Sequence, residues 1–248
     1  MTTASLTFES IRARPVLLKL RRPIVARIAT ITEWPLILID VTTREGIVGR
    51  AYLEPYTAKA MRYLVHALRD FGELLKGRRV APVELYAAAR KSLHFVGYQG
   101  LSAIAVAGLD MAAWDALAKA ADIPLCVLLG GSVGDVNAYN SNGLWLRPPA
   151  ALGDEALELR DEGGFTGLKL RLGRDRLRDD VAALEGIRRA VGDDMHLMAD
   201  FNQGLDLGEA LQRCHRIDDM GLAWIEAVPA VRSSARGWLL KYHRPHRA

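Results

Sequence analysis

The sequence predicts an α+β domain followed by an incomplete (β/α) barrel of the TIM type, about half of the eight strand-helix units of a complete one. Two observations indicate this fold class. Strand-like runs precede helix-like runs over residues 1–131, whereas the two patterns alternate over residues 132–226. Grouped strands and helices are typical of an α+β domain, and alternating ones of a parallel sheet. Residues 227–248 form a separate basic tail in this prediction.

The first domain begins with three apolar runs whose residues alternate, as in antiparallel strands. They are separated by turns and lie at residues 8–20, 36–41 and 47–53. Three segments with helical spacing follow, at residues 57–78, 82–94 and 101–121. Pro82 suits the first turn of a helix, and Gly77 suits the residue after one. The last segment is strongly apolar, but Asp110, Asp115 and Lys119 interrupt it, which predicts a buried helix rather than a membrane span.

The second domain carries three short apolar runs that each end in polar or charged residues. These runs are Gly167 to Leu172, His196 to Asn202 and Leu222 to Glu226. A helix-length amphipathic segment follows each of the first two, and a further strand with its own helix is predicted before them, at Val136 to Ser141. In a (β/α) barrel the side chains at the carboxyl ends of successive strands meet at one mouth. We therefore expect the polar residues that end these runs to form one site.

Lys169 and Arg171 lie two residues apart on a predicted strand, so their side chains share one face. Burial beside a second cation favours the uncharged form of a lysine, which suits either a proton-abstracting base or a carboxylate binder. A guanidinium stays charged, so Arg171 is a candidate for carboxylate recognition or charge stabilisation. The alternative is a surface pair that bridges to acids on a neighbouring helix.

Asp200 and Asn202 share one face of the next strand, and Glu226 ends the strand after it. Oxygen ligands from adjacent strand ends are what Mg²⁺ requires, with waters and substrate oxygens completing its coordination. Asp200 and Glu226 are therefore candidate metal ligands. The alternatives are that Asp200 caps the following helix and that Glu226 is a solvated strand end.

The composition of the chain argues against several classes of protein. Its 248 residues are 50% hydrophobic, and its net charge of +4 arises from the tail, which holds five basic residues and no acidic one. A short basic run is weak evidence for nucleic-acid binding, so neither a nucleic-acid nor a membrane partner is predicted. Residues 1–10 carry no basic leader or apolar stretch, which predicts a cytoplasmic protein. Cys126 and Cys214 lack companions at metal-ligand spacing and are predicted to be free core thiols.

Several motifs resemble those of the enolase superfamily, and within it the mandelate racemase and muconate lactonizing enzyme group. The likeness runs from about residue 8 to Glu226. Its most specific pieces are LID at 38–40, GIVG at 46–49, GYQG at 97–100, AGLDMAAWDAL at 107–117, RAVGDD at 189–194, DFNQ at 200–203 and WIE at 224–226. The resemblance implies an α+β capping domain over a (β/α)₇β barrel, dependence on Mg²⁺, and abstraction of the proton α to a carboxylate.

The resemblance also implies roles for individual residues. Four positions match family residues that hold the metal or lie near the substrate: Asp200 and Glu226 as metal ligands, and Asn202 and Ser141 on the substrate side. Lys169 resembles the first lysine of a K-x-K element. Arg171 stands where mandelate racemase has the second lysine, the base for one substrate enantiomer. This difference argues against two-base racemisation, and a dehydratase needs a base on only one face of its substrate.

The likeness ends after Glu226, where the family continues with further strands, a third metal ligand and an Asp/His pair. We therefore expect a C-terminally truncated copy of a racemase or dehydratase, with low or no activity. Its expected substrate is a small hydroxy acid or sugar acid, and a homo-oligomer is compatible with the sequence. The alternative is a non-catalytic fragment or assembly subunit that pairs with another barrel protein.

Overall fold

The computed structural model describes residues 5–226, which divide into two compact units. The units are residues 5–19 with 33–135, and residues 20–32 with 136–226. The domain boundary near residue 132 stays a prediction, and the structure adds that residues 20–32 belong with the second unit. The predicted basic tail at 227–248 lies outside the described residues.

A three-stranded sheet in the order β1-β2-β3 forms one layer of the first unit. Its strands are β1 (Phe8–Ala26), β2 (Ala29–Thr43) and β3 (Val48–Leu53). Strands β2 and β3 are antiparallel. Ile37, Ile39 and Val41 of β2 are buried and alternate with more exposed residues, which is the pattern that predicts this strand.

Strands β1 and β2 both extend beyond the bounds that the alternating pattern predicts. They continue to a turn at residues 27–28, and this end of the hairpin lies in the second unit. Most side chains between residues 17 and 35 are exposed or half-buried. Because neither face of the hairpin end is fully buried, no alternation of apolar and polar residues marks it in the sequence.

Helices form the other layer of the first unit. They are α1 (Ala58–Leu75), α2 (Pro82–Ser92), α3 (Leu101–Ala120) and the one-turn α4 (Leu125–Leu128). Pro82 occupies the first turn of α2, as predicted. Gly77 follows the end of α1 with a φ of +79°, a conformation that glycine adopts without strain.

Helix α3 is the central helix of the first unit and contacts β3, α1 and α2. Among the described residues, it is the helix whose length and composition would let it cross a membrane. Eight of its residues are buried within the unit, most of them alanines. Small side chains let the helix approach the sheet closely, and at Gly49 an added Cβ would lie 2.0 Å from the carbonyl oxygen of Ala112. The structure thus shows a core helix, as predicted.

The two cysteines are free, as predicted, but only one of them is shielded. Cys214 is half-buried, and burial raises the pKa of its thiol. Cys126 is exposed, so the prediction that it is a core thiol is wrong. It lies on α4, a single turn with no buried residue, and an isolated turn has too little apolar surface to cover the thiol.

The second unit contains a parallel three-stranded sheet in the order β4-β5-β6 among its described residues. The strands are β4 (Gly167–Arg171), β5 (His196–Asp200) and β6 (Leu222–Glu226). The helices are α5 (Leu152–Asp161), α6 (Leu177–Val191) and α7 (Leu207–Ile217). Alternation of strands and helices, with leucines from both in one core, is the arrangement of a partial (β/α) barrel.

The prediction of a strand at Val136 to Ser141 is wrong, because these residues form no strand in the structure. Only an isolated parallel bridge from Asn140 to Leu168 forms there, supported by hydrogen bonds from Asn140 N to Gly167 O and from Lys169 N to Asn140 O. Val136 is 88% exposed, and residues 131–139 are all exposed, so little apolar burial holds this segment along the sheet edge.

We expect Gly49→Ala to destabilise the protein by roughly 1–3 kcal/mol, because the new Cβ would overlap the Ala112 carbonyl oxygen and the Ala116 Cβ. Urea unfolding followed by circular dichroism measures this change. Gly134→Ala is the matched control, since its Cβ would enter open space. Equal stability of the two variants would show that the close contact between α3 and β3 is not a constraint.

Burial raises the pKa of Asp110, although a hydrogen bond with the Trp114 side chain acts in the opposite direction. A raised folded-state pKa means that stability is lost as the pH rises through that pKa. We therefore expect Asp110→Asn to be more stable than the wild type at pH 7, by about 1 kcal/mol or less, and to lose this advantage as the pH falls toward about 4. Unfolding at the two pH values tests this, with the exposed Asp135→Asn as control. An advantage that is independent of pH would contradict it.

Candidate metal and substrate site

The predicted site residues lie at the carboxyl ends of the three parallel strands. In the strand register, Arg171 of β4 is paired with Asp200 of β5, which is paired with Glu226 of β6. Lys169 is two residues before Arg171 and therefore projects from the same face of the sheet. The structure thus brings these four side chains together at one edge, as the strand pattern predicts.

Lys169 connects the two carboxylates. Its Nζ donates to Glu226 Oε2 at 3.0 Å and lies 3.5 Å from Asp200 Oδ2. The aromatic ring of Tyr139 approaches the same ammonium, with its centroid 5.9 Å away. The lysine is only 8% exposed, so the alternative of a surface pair is wrong. Glu226 keeps 41% of its side chain exposed, so the strand end is partly open to solvent.

Arg171 is buried, and its guanidinium has more hydrogen-bond donors than hydrogen-bond partners. Its Nη2 donates to Ser141 Oγ at 3.2 Å, and its guanidinium lies 4.6 Å from the ring centroid of Trp145. Its Nε is 3.6 Å from Asp200 Oδ2, which is too long for a hydrogen bond, and both Nε and Nη1 are buried without a hydrogen-bond partner. Burial lowers the pKa of Arg171, while Asp200 and Glu226 act against this change. A buried charged fork with free donors is suited to an oxyanion.

Asp200 is held by Asn202, two residues beyond the strand end. The backbone N of Asn202 donates to Asp200 Oδ1 at 2.7 Å, and its Nδ2 donates to Oδ2 at 3.0 Å. Asn202 has a φ of +49°, and its Oδ1 is buried without a partner. The alternative that Asp200 caps the next helix is wrong, because Asp206 caps α7 by accepting from Glu209 N.

Two aromatic residues of the site were not predicted from the sequence. Trp145 stacks on Arg171, and Tyr139 lies edge-on to Trp224 with ring centroids 5.4 Å apart. Tyr139 and Trp145 lie in irregular segments near Asn140, where no periodic pattern indicates which way a side chain points. Their only sequence signal is aromatic character within a few residues of Ser141.

The oxygen atoms at this edge fit a hard divalent cation. Asp200 and Glu226 present carboxylates from neighbouring strands, and their oxygens already converge on one cationic group, the Lys169 ammonium. The unpartnered Asn202 Oδ1 is a further buried acceptor beside Asp200. Mg²⁺ prefers such oxygen ligands and retains several waters. Within residues 5–226, no group of three histidine, cysteine or acidic side chains is arranged to hold a metal ion, so these residues supply a partial ligand set.

Two family profiles match most of the chain. The family profile described as "Mandelate racemase / muconate lactonizing enzyme, N-terminal domain" matches residues 9–130, and "Enolase C-terminal domain-like" matches residues 151–233. The chain belongs to the enolase superfamily. Its place in the mandelate racemase and muconate lactonizing enzyme group is that predicted from its motifs. The second match extends a few residues beyond Glu226, where the likeness is predicted to end.

Solved structures and curated relatives of this enolase-superfamily chain extend well beyond it in length. An enolase from alpha pretobacterium bal199 with bound Mg is 60% identical, with a TM-score of 0.89 over 92% of this chain and 64% of that one. An enolase from Bradyrhizobium complexed with magnesium and mandelic acid is 41% identical, with a TM-score of 0.82 over 91% and 62%. L-talarate/galactarate dehydratase from Salmonella typhimurium is 29% identical over 79% of this chain and 49% of its own length. The chain thus spans about half of that dehydratase.

We expect Arg171→Met to raise the stability of the protein by about 1–3 kcal/mol, because it removes a buried cation with two unpartnered donor atoms. Arg213→Met is the matched control: this arginine is equally buried but pairs with Asp180 and Glu209, so its loss is expected to cost about 3 kcal/mol. Urea unfolding of both variants measures the difference. Destabilisation of similar size in both would mean that Arg171 supports the fold rather than a ligand.

Proposed function

We propose that the chain forms the metal-binding and charge-neutralising part of a Mg²⁺-dependent site that abstracts the proton α to a carboxylate. The observation that carries this proposal is the convergence of the Asp200 and Glu226 carboxylates on one cation position beside buried Arg171. Carboxylates by themselves would indicate a cation site, and buried cationic side chains by themselves would indicate an anion site. Carboxylates and buried cations side by side suit a metal ion together with a substrate whose negative charge increases as its α-proton leaves.

Asp200 and Glu226 would hold the metal ion. When bound, Mg²⁺ supplies positive charge that stabilises the negative charge developing on the substrate carboxylate. Asn202 fixes the orientation of the Asp200 carboxylate through its two hydrogen bonds. A ligand held in this way keeps one rotamer when the cation is exchanged, which maintains the geometry of the site.

Lys169 and Arg171 have different roles in this proposal. Lys169 is ion-paired with two carboxylates, so we assign it to the binding and neutralisation of the substrate carboxylate rather than to proton abstraction. Arg171 stays charged, and its unpartnered Nε and Nη1 donate to substrate oxygens. Ser141 accepts from Arg171 Nη2 and holds the guanidinium in position on Trp145.

The substrate class that fits best is a hydroxy acid or sugar acid. Relatives of this chain include the L-talarate/galactarate dehydratase, and the Bradyrhizobium enolase was solved with mandelic acid. Dehydration removes the α-proton and expels a β-hydroxyl group, and it needs a base on one face only. Racemisation needs a base on both faces, and Arg171 is a poor base because a guanidinium rarely gives up its proton. We therefore favour dehydration over racemisation.

The 248-residue chain itself is proposed to turn over slowly or not at all. The described residues supply two carboxylates to the cation position, and Mg²⁺ gives up its waters reluctantly to so few protein ligands. The second candidate is a non-catalytic fragment or assembly subunit that pairs with another barrel protein. The exposed end of the Glu226 side chain favours it, because a further segment from a partner has access to the same cation position.

We expect the protein to bind Mg²⁺ weakly, and Asp200→Asn and Glu226→Gln each to weaken binding at least about tenfold, since each removes one charged ligand. Isothermal titration calorimetry measures this, with circular dichroism to confirm folding. Asp194→Asn, an exposed acid in the turn before β5, is the control and should bind as the wild type does. Equal affinity in all four proteins would end the metal assignment.

Turnover is tested separately by the exchange of α-protons of hydroxy acids in D₂O with Mg²⁺, followed by NMR. We expect a rate within about twofold of the rate without protein, because proton abstraction requires a base that the ion-paired Lys169 does not provide. Exchange well above that background, and abolished in Lys169→Met, would show that Lys169 is the base and that the chain is an active enzyme.

A further inference from the structure

A buried charge network lies behind the carboxyl end of β4, outside the site described above. At its centre, Asp180 of α6 has no exposed surface. Its carboxylate accepts hydrogen bonds from the backbone N of Gly173, at 3.0 and 3.1 Å, and from that of Arg174, at 3.1 Å. It also pairs with the guanidinium groups of Arg174 and Arg213, at 3.3 and 2.5 Å. Asp180 therefore holds the loop that follows β4 through both its backbone and its side chains.

Arg174 extends the network to the main chain of the candidate site. Its Nη1 donates to the carbonyl oxygen of Arg171 at 3.1 Å, and its Nη2 donates to that of Arg147 at 2.9 Å. The same Nη2 lies 3.4 Å from the carbonyl oxygen of Trp145. These contacts fix the backbone of Arg171 and of the aromatic residue that stacks on it. Burial lowers the pKa of Arg174, which agrees with a guanidinium largely removed from water.

Arg213 extends the network in the other direction, to the hairpin end. Its Nη2 donates to Glu209 Oε1 at 2.6 Å, and the same oxygen accepts from Arg27 Nη1 at 3.1 Å. Arg27 lies in the turn between β1 and β2 and also donates to the carbonyl oxygen of Gly173 at 3.3 Å. An added Cβ at Gly204 would lie 2.8 Å from the Arg27 Cβ, so the loop after β5 approaches this turn closely.

The network brings one carboxylate and two guanidinium groups together away from water, and this arrangement needs an explanation. Burying a carboxylate and two guanidinium groups carries a large desolvation cost, and apolar residues of similar volume are often as stable. Stability alone therefore does not account for three buried charged residues. The charged groups also fix backbone positions at the edge of the site. Asp180 accepts from two backbone amides of the loop after β4, and Arg174 donates to the carbonyl oxygens of Arg171 and Arg147. Small displacements of catalytic groups have large effects on rates, so such fixation is valuable there.

We propose that Asp180 is a positioning residue that aims Arg171 at the substrate oxygens and, through Arg213 and Glu209, ties the hairpin end to the loop after β4. The consequence for substrate binding rests on the proposed function of the site. The structural consequence does not, since it concerns only the order of three segments: residues 145–147, 171–174 and 25–29.

Hydrogen exchange measured by mass spectrometry tests the structural part. In Asp180→Asn we expect amide exchange at least about tenfold faster in all three segments, with β5 unchanged. Asp179→Asn is the matched control, because Asp179 is the neighbouring acid on α6 and is 43% exposed. Glu209→Gln should loosen only the segment around Arg27, which keeps the proposal testable if Asp180→Asn folds poorly. Exchange in Asp180→Asn equal to that of the control would overturn the proposal.

Ligand binding distinguishes positioning from a general loss of structure. Calorimetry with Mg²⁺ alone, and with glycolate in saturating Mg²⁺, gives two affinities for each variant. Since Asn202 and Lys169 hold the Asp200 and Glu226 carboxylates, we expect Mg²⁺ affinity within about twofold of the wild type and glycolate affinity about tenfold lower in Asp180→Asn. Parallel loss of both affinities would overturn the proposal in favour of a merely structural role. If the wild-type protein binds neither probe, the proposed function fails, and the hydrogen-exchange result alone decides the positioning role.

Discussion

The register of three short parallel strands is the constraint on which the candidate site depends. Arg171, Asp200 and Glu226 are side by side because the registers of β4 with β5 and of β5 with β6 pair them there, and a slip by one residue would turn a whole set of side chains to the opposite face. The strands are held by apolar residues such as Leu170 and Ala199, which are fully buried in the core of the second unit. Hydrophobic packing thus determines where the charges meet.

Two cations and two carboxylates meet at this edge, so their charges balance, but some of the polar atoms there lack hydrogen-bond partners. Lys169 is paired with both carboxylates, whereas Arg171 keeps two buried donors and Asn202 keeps one buried acceptor without partners. Unsatisfied buried groups cost stability, and proteins tolerate them mainly where a ligand later uses them. The same edge therefore has unpartnered positions for a cation and for an anion, which is what a metal ion and a carboxylate substrate require together.

The sequence was most informative where side-chain direction follows from a regular period. On a strand, Lys169 and Arg171 must share a face, and the ends of parallel strands must meet, so these contacts could be predicted. It was least informative in irregular segments. For this reason the prediction of a strand at Val136 to Ser141 was wrong, and the place of Trp145 in the site was not predicted. The exposure of Cys126 could not be foreseen either, because it depends on whether a single helical turn finds a covering surface.

Asp180 illustrates a further reason why sequence and structure differ. In the first turn of an amphipathic helix, an aspartate is normally interpreted as a solvated residue that favours the helix N-terminus. Here it is fully buried because two arginines from different segments and two backbone amides converge on it. Its partners are brought together only by the tertiary fold. The hairpin end joins the same network through Arg27, so residues that lie early in the chain are structurally part of the unit that holds the site.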